Sequence, residues 1–145
     1  MVKLRIKKLN EKAVIPTYGT EYSAGADLYA AGEKYEIEPH KTVLVKTGLS
    51  MEIPEGYAGL IFARSGMASK RGLAPANKVG VIDADYRGEI MVALHNHSEK
   101  SATVENGERI AQLAILPFLK AEFEETEELS DTVRGVGGFG STGSK

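Results

Sequence analysis

The sequence predicts an all-β sandwich or barrel. Apolar residues recur with period two along several segments, turn residues interrupt them about every ten residues, and no amphipathic helix longer than about two turns fits the pattern. Val2, Leu4 and Ile6 alternate with Lys3, Arg5 and Lys7, the first strand. A turn from Pro16 to Gly19 leads to AGADLYA at 24 to 30, and Gly32 and Pro39 mark further turns. Leu49, Met51 and Ile53 alternate with Ser50 and Glu52 up to a turn at Pro54 to Gly56. After the apolar run Leu60-Ile61-Phe62, Ser65 to Lys70 reads as a short helix with Ser65 as its cap, and Gly72 to Pro75 is a further turn. Val79 to Ile82 and Ile90 to Leu94 flank an acidic, aromatic tip and read as a hairpin. Beyond Asn106-Gly107, the segment to Leu116 is an apolar strand interrupted by Gln112.

At 145 residues the chain is expected to form one domain with one core. We divide it into a β body at 1–123, an acidic connector at 124–133 and a Gly-rich tail at 134–145. A net charge of −2 gives no global basic field, so nucleic acid is not an expected partner and any bound anion must be held locally. MVKLRIKKL has no apolar signal core, and no run reaches the length of a membrane span. Zero Cys excludes disulfides and thiolate metal sites and suits a reducing cytoplasm.

The tail RGVGGFGSTGSK is the least core-like segment, with Gly at five of twelve positions. Such a stretch is either a mobile linker or a backbone that must come close to a ligand. In the second case its amides and Arg134 would bind phosphate oxygens, and Phe139 would offer a face to a base. Gly135, Gly137 and Gly140 match the dinucleotide fingerprint by spacing alone, with no strand before them and no helix after. Gly138 to Gly143 begin a P-loop, but Ser144 stands where its Lys belongs.

Four further segments hold polar residues that a core does not require. Asp27 lies among small residues and is either a turn former or a ligand. ARSGMA at 63 to 68 sets Arg64 beside Ser65 and Gly66, an arrangement suited to phosphate or to solvent. The tip between Asp83 and Gly88 is either a surface turn or a site with a general base and an aromatic platform in Tyr86. Gln112, in an apolar strand, needs hydrogen-bond partners that a ligand can supply. His95 and His97 share a strand face, but the sequence offers no third ligand.

In this order, AGADLYA, ARSGMA, GVIDADYRG, GERIAQL and RGVGGFGSTG resemble the five motifs of the trimeric dUTP pyrophosphatases, or dUTPases, from Ala24 to Gly143. The resemblance implies a distorted jelly-roll β-barrel. It also implies a homotrimer with active sites at subunit boundaries and a flexible Gly-rich tail that closes over a neighbour's nucleotide. The implied reaction is Mg2+-dependent hydrolysis of dUTP to dUMP and pyrophosphate, which supplies dUMP for thymidylate synthesis and keeps uracil out of DNA.

Position by position, Asp83 would activate the water that attacks the α-phosphorus, and Asp27 would hold Mg2+ through water. Arg64, Ser65, Gly66 and Gln112 would contact phosphates, joined from the tail by Arg134, Ser141 and Thr142, while Gly140 would also bind substrate and Phe139 would stack on uracil. Asn77 and the backbone of Gly80, Val81 and Ile82 would read the base, with Met91 nearby. Tyr86 would pack under the deoxyribose and exclude a ribose 2′-OH. Ala63 departs from the family's usual Pro at that place.

Two other readings set limits on this one. The related dCTP deaminases carry a catalytic Glu where alignment places Ala93, which cannot activate water. A noncatalytic nucleotide-binding jelly roll would have no need of Asp83.

Overall fold

The computed structural model describes residues 2–138. In chain order its elements are β1 (Arg5–Lys8), β2 (Thr17–Tyr18), β3 (Ala26–Tyr29), β4 (Tyr35–Ile37), β5 (Thr42–Lys46), β6 (Leu49–Glu52) and β7 (Tyr57–Phe62). Then come α1 (Ser65–Arg71), β8 (Leu73–Pro75), β9 (Gly80–Ile82), β10 (Met91–Asn96), β11 (Ala102–Val104) and β12 (Arg109–Pro117). All strand pairings are antiparallel. The two larger sheets run β2-β3-β12-β7-β9 and β5-β10-β8, and β1-β6 and β11-β4 form two-stranded pieces.

The period-two segments become strands because one face of each is buried. Leu49 and Met51 point inward from β6, and Val92 and Leu94 from β10, with their alternate neighbours more exposed. The inward residues of both larger sheets meet in one cluster: Leu28, Ile61, Ile110 and Leu113 from the five-stranded sheet, and Val45, Leu73, Val92 and Leu94 from the other. Each such fully buried aliphatic side chain stabilises the fold by about 1.5–3 kcal/mol. This is an all-β arrangement of the kind the sequence rhythm points to, and it agrees with the jelly roll that the resemblance implies.

Two local expectations are corrected. Ser65 does not cap α1: Arg64 holds the N-cap position with extended backbone and no side-chain cap bond, and the Ser65 carbonyl instead accepts from the Ser69 hydroxyl at 2.6 Å. The helix itself matches the expected span to within one residue, and Gly72 beyond it adopts the left-handed conformation (φ 66°) that stops a helix. Nor is there a hairpin around Asp83 to Gly88. β9 pairs with β7 and β10 with β5 and β8, so the segment crosses from one sheet to the other.

That crossing is anchored from the β5–β6 connection. Thr47, fully buried, donates its hydroxyl to the Ile90 carbonyl at 2.6 Å, Ile90 N–H donates to Leu49 O at 2.8 Å, and Ser50 Oγ donates to Arg87 O at 2.7 Å. Every buried side-chain nitrogen and oxygen among the described residues has a hydrogen-bond partner. After Pro117 no strand or helix forms among the described residues, and 118–136 lie exposed. No helix among the described residues is long and apolar enough to cross a membrane.

Candidate active site

The first cleft lies at one end of the five-stranded sheet and has a volume of about 290 Å³. Gln112 on β12 stands opposite both Asp27 on β3 and Phe62 on β7, so the Asp27 and Gln112 side chains emerge on the same face. Arg64 stands two residues past the end of β7 and donates Nε to Asp27 Oδ1 at 2.7 Å. Gln112 Nε2 donates to the Ala63 carbonyl at 2.8 Å, which fixes the amide of Gln112 against the chain that carries Arg64. Ser65 and Gly66 open the first turn of α1 on the same cleft, with no capping side chain over their amides. Guanidinium, amide, hydroxyl and free backbone N–H groups around one carboxylate form a polar seat suited to phosphate and a hydrated cation.

The second cleft, about 270 Å³, lies along β9 and the crossing to β10. Because β9 is the edge of its sheet, one row of its backbone N–H and C=O groups, from Gly80 to Ile82, is free of strand partners. Asn77 reaches this edge because Gly80 has no side chain: a Cβ there would stand 3.3 Å from Asn77 Nδ2 and 3.3 Å from Ile61 Cβ. Lys78, with a φ of 64°, makes the tight turn between them. Asp83 leaves the end of β9 exposed to solvent, and its carbonyl accepts Tyr86 N–H at 3.2 Å. Tyr86, Met91 and Val81 are partly exposed and give this cleft an apolar lip. Edge backbone with an apolar lip suits a flat heterocycle and its sugar.

The expected site residues therefore fall into two sets. Asp27, Arg64, Ser65, Gly66 and Gln112 line the first cleft; Asn77, Gly80, Val81, Ile82, Asp83, Tyr86 and Met91 line the second; no lining residue is shared. Arg134 lines neither and donates Nε to Gly137 O at 2.8 Å. Phe139, Gly140, Ser141 and Thr142 lie outside the described residues.

Three contributors escape a reading of the sequence. Arg109 donates Nη1 to Asp27 Oδ2 at 3.4 Å, although it stands three positions from Gln112 and strict alternation puts it on the other face. A register shift between Arg109 and Ala111 explains this: Ile110 and Ala111 are both buried, and the irregularity turns Arg109 back to the side of Gln112. Leu44, 58% exposed on β5, lines the second cleft beside Met91. Its signal is an apolar residue on the outward face of an alternating strand. Glu89 also lines that cleft, and its carboxylate accepts Gly48 N–H at 2.9 Å.

His95 and His97 do stack, edge to face with ring centroids 4.5 Å apart, and His95 Nδ1 pairs with the Thr42 hydroxyl at 2.9 Å. Loss of hydration, followed by the charges of His95, Lys78 and His40, holds the His97 imidazole below its ordinary pKa. Among the described residues no group of three or more His, Cys, Asp or Glu is placed to hold a metal ion.

The family model for dUTPase matches residues 11–143. The chain is 51% identical over 144 residues to the deoxyuridine 5'-triphosphate nucleotidohydrolase of Hydrogenobaculum sp. (strain Y04AAS1), covering 99% of this chain and 100% of that one. Its fold superposes with a TM-score of 0.92 on the dUTPase of Staphylococcus bacteriophage 80alpha with dUPNHPP, at 33% identity and 99% coverage of both. A dUTPase variant from phage phi11 of S. aureus, described with a structural Mg(II) ion, superposes with a TM-score of 0.80 at 28% identity, over 88% of this chain and 98% of that one. With motif order, jelly-roll fold and near full-length identity in agreement, the chain belongs to the dUTPase family.

Proposed function

We propose that the chain hydrolyses dUTP to dUMP and pyrophosphate, with the triphosphate in the polar cleft and the nucleoside in the cleft along β9. Asp83 takes a proton from a water whose oxygen attacks the α-phosphorus in line. The new P–O bond forms as the bond to the pyrophosphate oxygen breaks, and pyrophosphate leaves with its electron pair. Arg64, Ser65, Gly66 and Gln112 hold the phosphates, and Arg134, Gly140, Ser141 and Thr142 complete the grip from the tail. Asn77 and the edge of β9 read uracil: cytosine presents a donor where uracil has an acceptor, and Met91 with the cleft floor limits room for the thymine methyl. Tyr86 supports deoxyribose, and Phe139 covers the base.

The polar cleft fits Mg2+. A hard cation that dehydrates reluctantly is held by one or two carboxylates, water and substrate phosphate, not by a protein cage. Asp27 would hold it through water, since ion pairing with Arg64 and Arg109 leaves acceptor capacity on both carboxylate oxygens. Bound Mg2+ supplies neutralisation of the charge that develops on the leaving pyrophosphate.

One observation carries the reading: groups suited to the two ends of a nucleotide line separate clefts of one chain. A homotrimer that sets the polar cleft of one subunit against the nucleoside cleft of its neighbour unites them, with a tail closing over the nucleotide. Leu119 at 99% and Phe123 at 93% exposure support such a crossing, because isolated chains gain little by extending large apolar groups into water. Absence of Cys fits work in the cytoplasm.

The test is to incubate the protein with Mg2+ and dUTP, dCTP, dTTP or UTP in turn, following pyrophosphate and ammonia together. Pyrophosphate from dUTP alone, without ammonia, is expected. Ammonia from dCTP, or silence on all four, would overturn the assignment. Light scattering on the same sample should give three times the 15.6 kDa chain mass.

A further inference from the structure

Gly88 bears no side chain and stands at the end of the third motif, yet its φ is not among the positive glycine values, so its backbone does not demand glycine. What it accommodates is the ring of Tyr86. An ideal Cβ on Gly88 would fall 2.3 Å from the Tyr86 hydroxyl oxygen, 2.5 Å from Cζ and 2.9 Å from Cε2. The ring therefore lies directly on the backbone of Gly88, and its hydroxyl continues past it to donate to the Glu89 carbonyl at 3.0 Å.

The acceptor is itself held. Glu89 receives Gly48 N–H on its carboxylate at 2.9 Å, and the Ile90 carbonyl receives both Thr47 groups, N–H at 3.2 Å and hydroxyl at 2.6 Å. On the other side, Arg87 O accepts Ser50 Oγ at 2.7 Å. The bed under the ring is thus fixed on both flanks of Gly88. Tyr86 remains 43% exposed and lines the nucleoside cleft, so a sugar meets the part of the ring that Gly88 does not cover.

We infer that Gly88 is the positioning residue of the sugar platform: by admitting the Tyr86 ring onto its backbone, it sets the height at which that ring rejects a ribose 2′-OH. The inference rests on the reading of Tyr86 as the sugar support. A side chain at 88 would lift the ring off its bed, break the hydroxyl tether and admit ribonucleotide.

A double-mutant cycle tests this with the full chain and Mg2+: Gly88→Ala, Tyr86→Ala and the double variant, each measured for melting temperature and for kcat/KM on dUTP and UTP. Gly88→Ala should lower the preference for dUTP over UTP by roughly tenfold or more, the scale of a single-group sieve. In the Tyr86→Ala background the same change should alter neither the preference nor the melting temperature. If Gly88→Ala alone folds poorly, recovery of the double variant to the stability of Tyr86→Ala supports the contact; a double variant no more stable than Gly88→Ala overturns it. A preference unchanged by Gly88→Ala in a folded protein overturns the positioning role. A preference unchanged by Tyr86→Ala overturns the sugar reading instead, and the melting temperatures keep that failure apart from failure of the contact.

Discussion

Arg64 Nε and Asp27 Oδ1 lie 2.7 Å apart at the polar cleft, with the two side chains only 25% and 14% exposed. This largely buried pair orients the guanidinium, whose Nε donates to Asp27 while Nη1 donates to the Arg109 carbonyl at 3.4 Å. In the proposed reaction Asp27 would then have two tasks, to hold the cation through water and to aim Arg64.

Asp27→Asn preserves shape but removes the charge that both tasks need. Charge-assisted hydrogen bonds are worth about 1.5–3 kcal/mol, so kcat/KM for dUTP should fall by roughly tenfold to a hundredfold, with more Mg2+ needed for half-maximal rate. Steady-state kinetics across a magnesium titration check both effects. An unchanged rate and an unchanged magnesium midpoint would dismiss both roles.

Asp83→Asn separates catalysis from capture. Asn cannot accept the proton from water, whereas the edge of β9 and the polar cleft remain intact. Turnover should drop by orders of magnitude while calorimetry with a non-hydrolysable dUTP analogue shows near-parental affinity. Undiminished turnover would remove Asp83 from the mechanism.

The legibility of this chain depends on which forces act locally. Alternation in β6 and β10 is written residue by residue, so those strands are readable to within a residue or two of their ends, and the helix stop at Gly72 is equally local. Partner choice is not local. The turn chemistry at Asp83 to Gly88 fits a hairpin and a crossing alike, and only the competition of β5, β7 and β8 for partners decides it. The register shift that brings Arg109 to Asp27 is hidden for the same reason, since a one-residue slip leaves composition untouched and reverses the face. Motif order points to the lining of both clefts, while their separation within one chain is legible only through the subunit-boundary sites that the resemblance implies.

Gly25→Ala should injure the site more than the fold. A Cβ at Gly25 would stand 2.7 Å from Gln112 Oε1, 3.1 Å from its Cβ and 3.3 Å from its Cδ, so Gln112 would have to leave its bond to Ala63 O. Kinetics should show a raised KM for dUTP together with a lower kcat. The melting temperature measured beside the kinetics separates an effect on the site from a loss of folding. Equal kinetics for Gly25→Ala and parent would show that Gln112 needs no such placement.

Truncation after Ser130 separates the lid from the body. Leu129 at 87% exposure and Val133 and Val136, fully exposed, contribute nothing to the core of their own chain. The shortened protein should keep its oligomeric size and melt close to the parent, because the last strand ends at Pro117 and the core cluster lies wholly before it. Turnover should still fall sharply, since Arg134 and Phe139 go with the tail. Phe139→Ala in the full chain should weaken nucleotide capture by about tenfold or more, as stacking on a base contributes roughly 1–3 kcal/mol. Unfolding of the truncated protein would make the tail structural, while a truncated protein with parental turnover would deny the lid its role in the reaction.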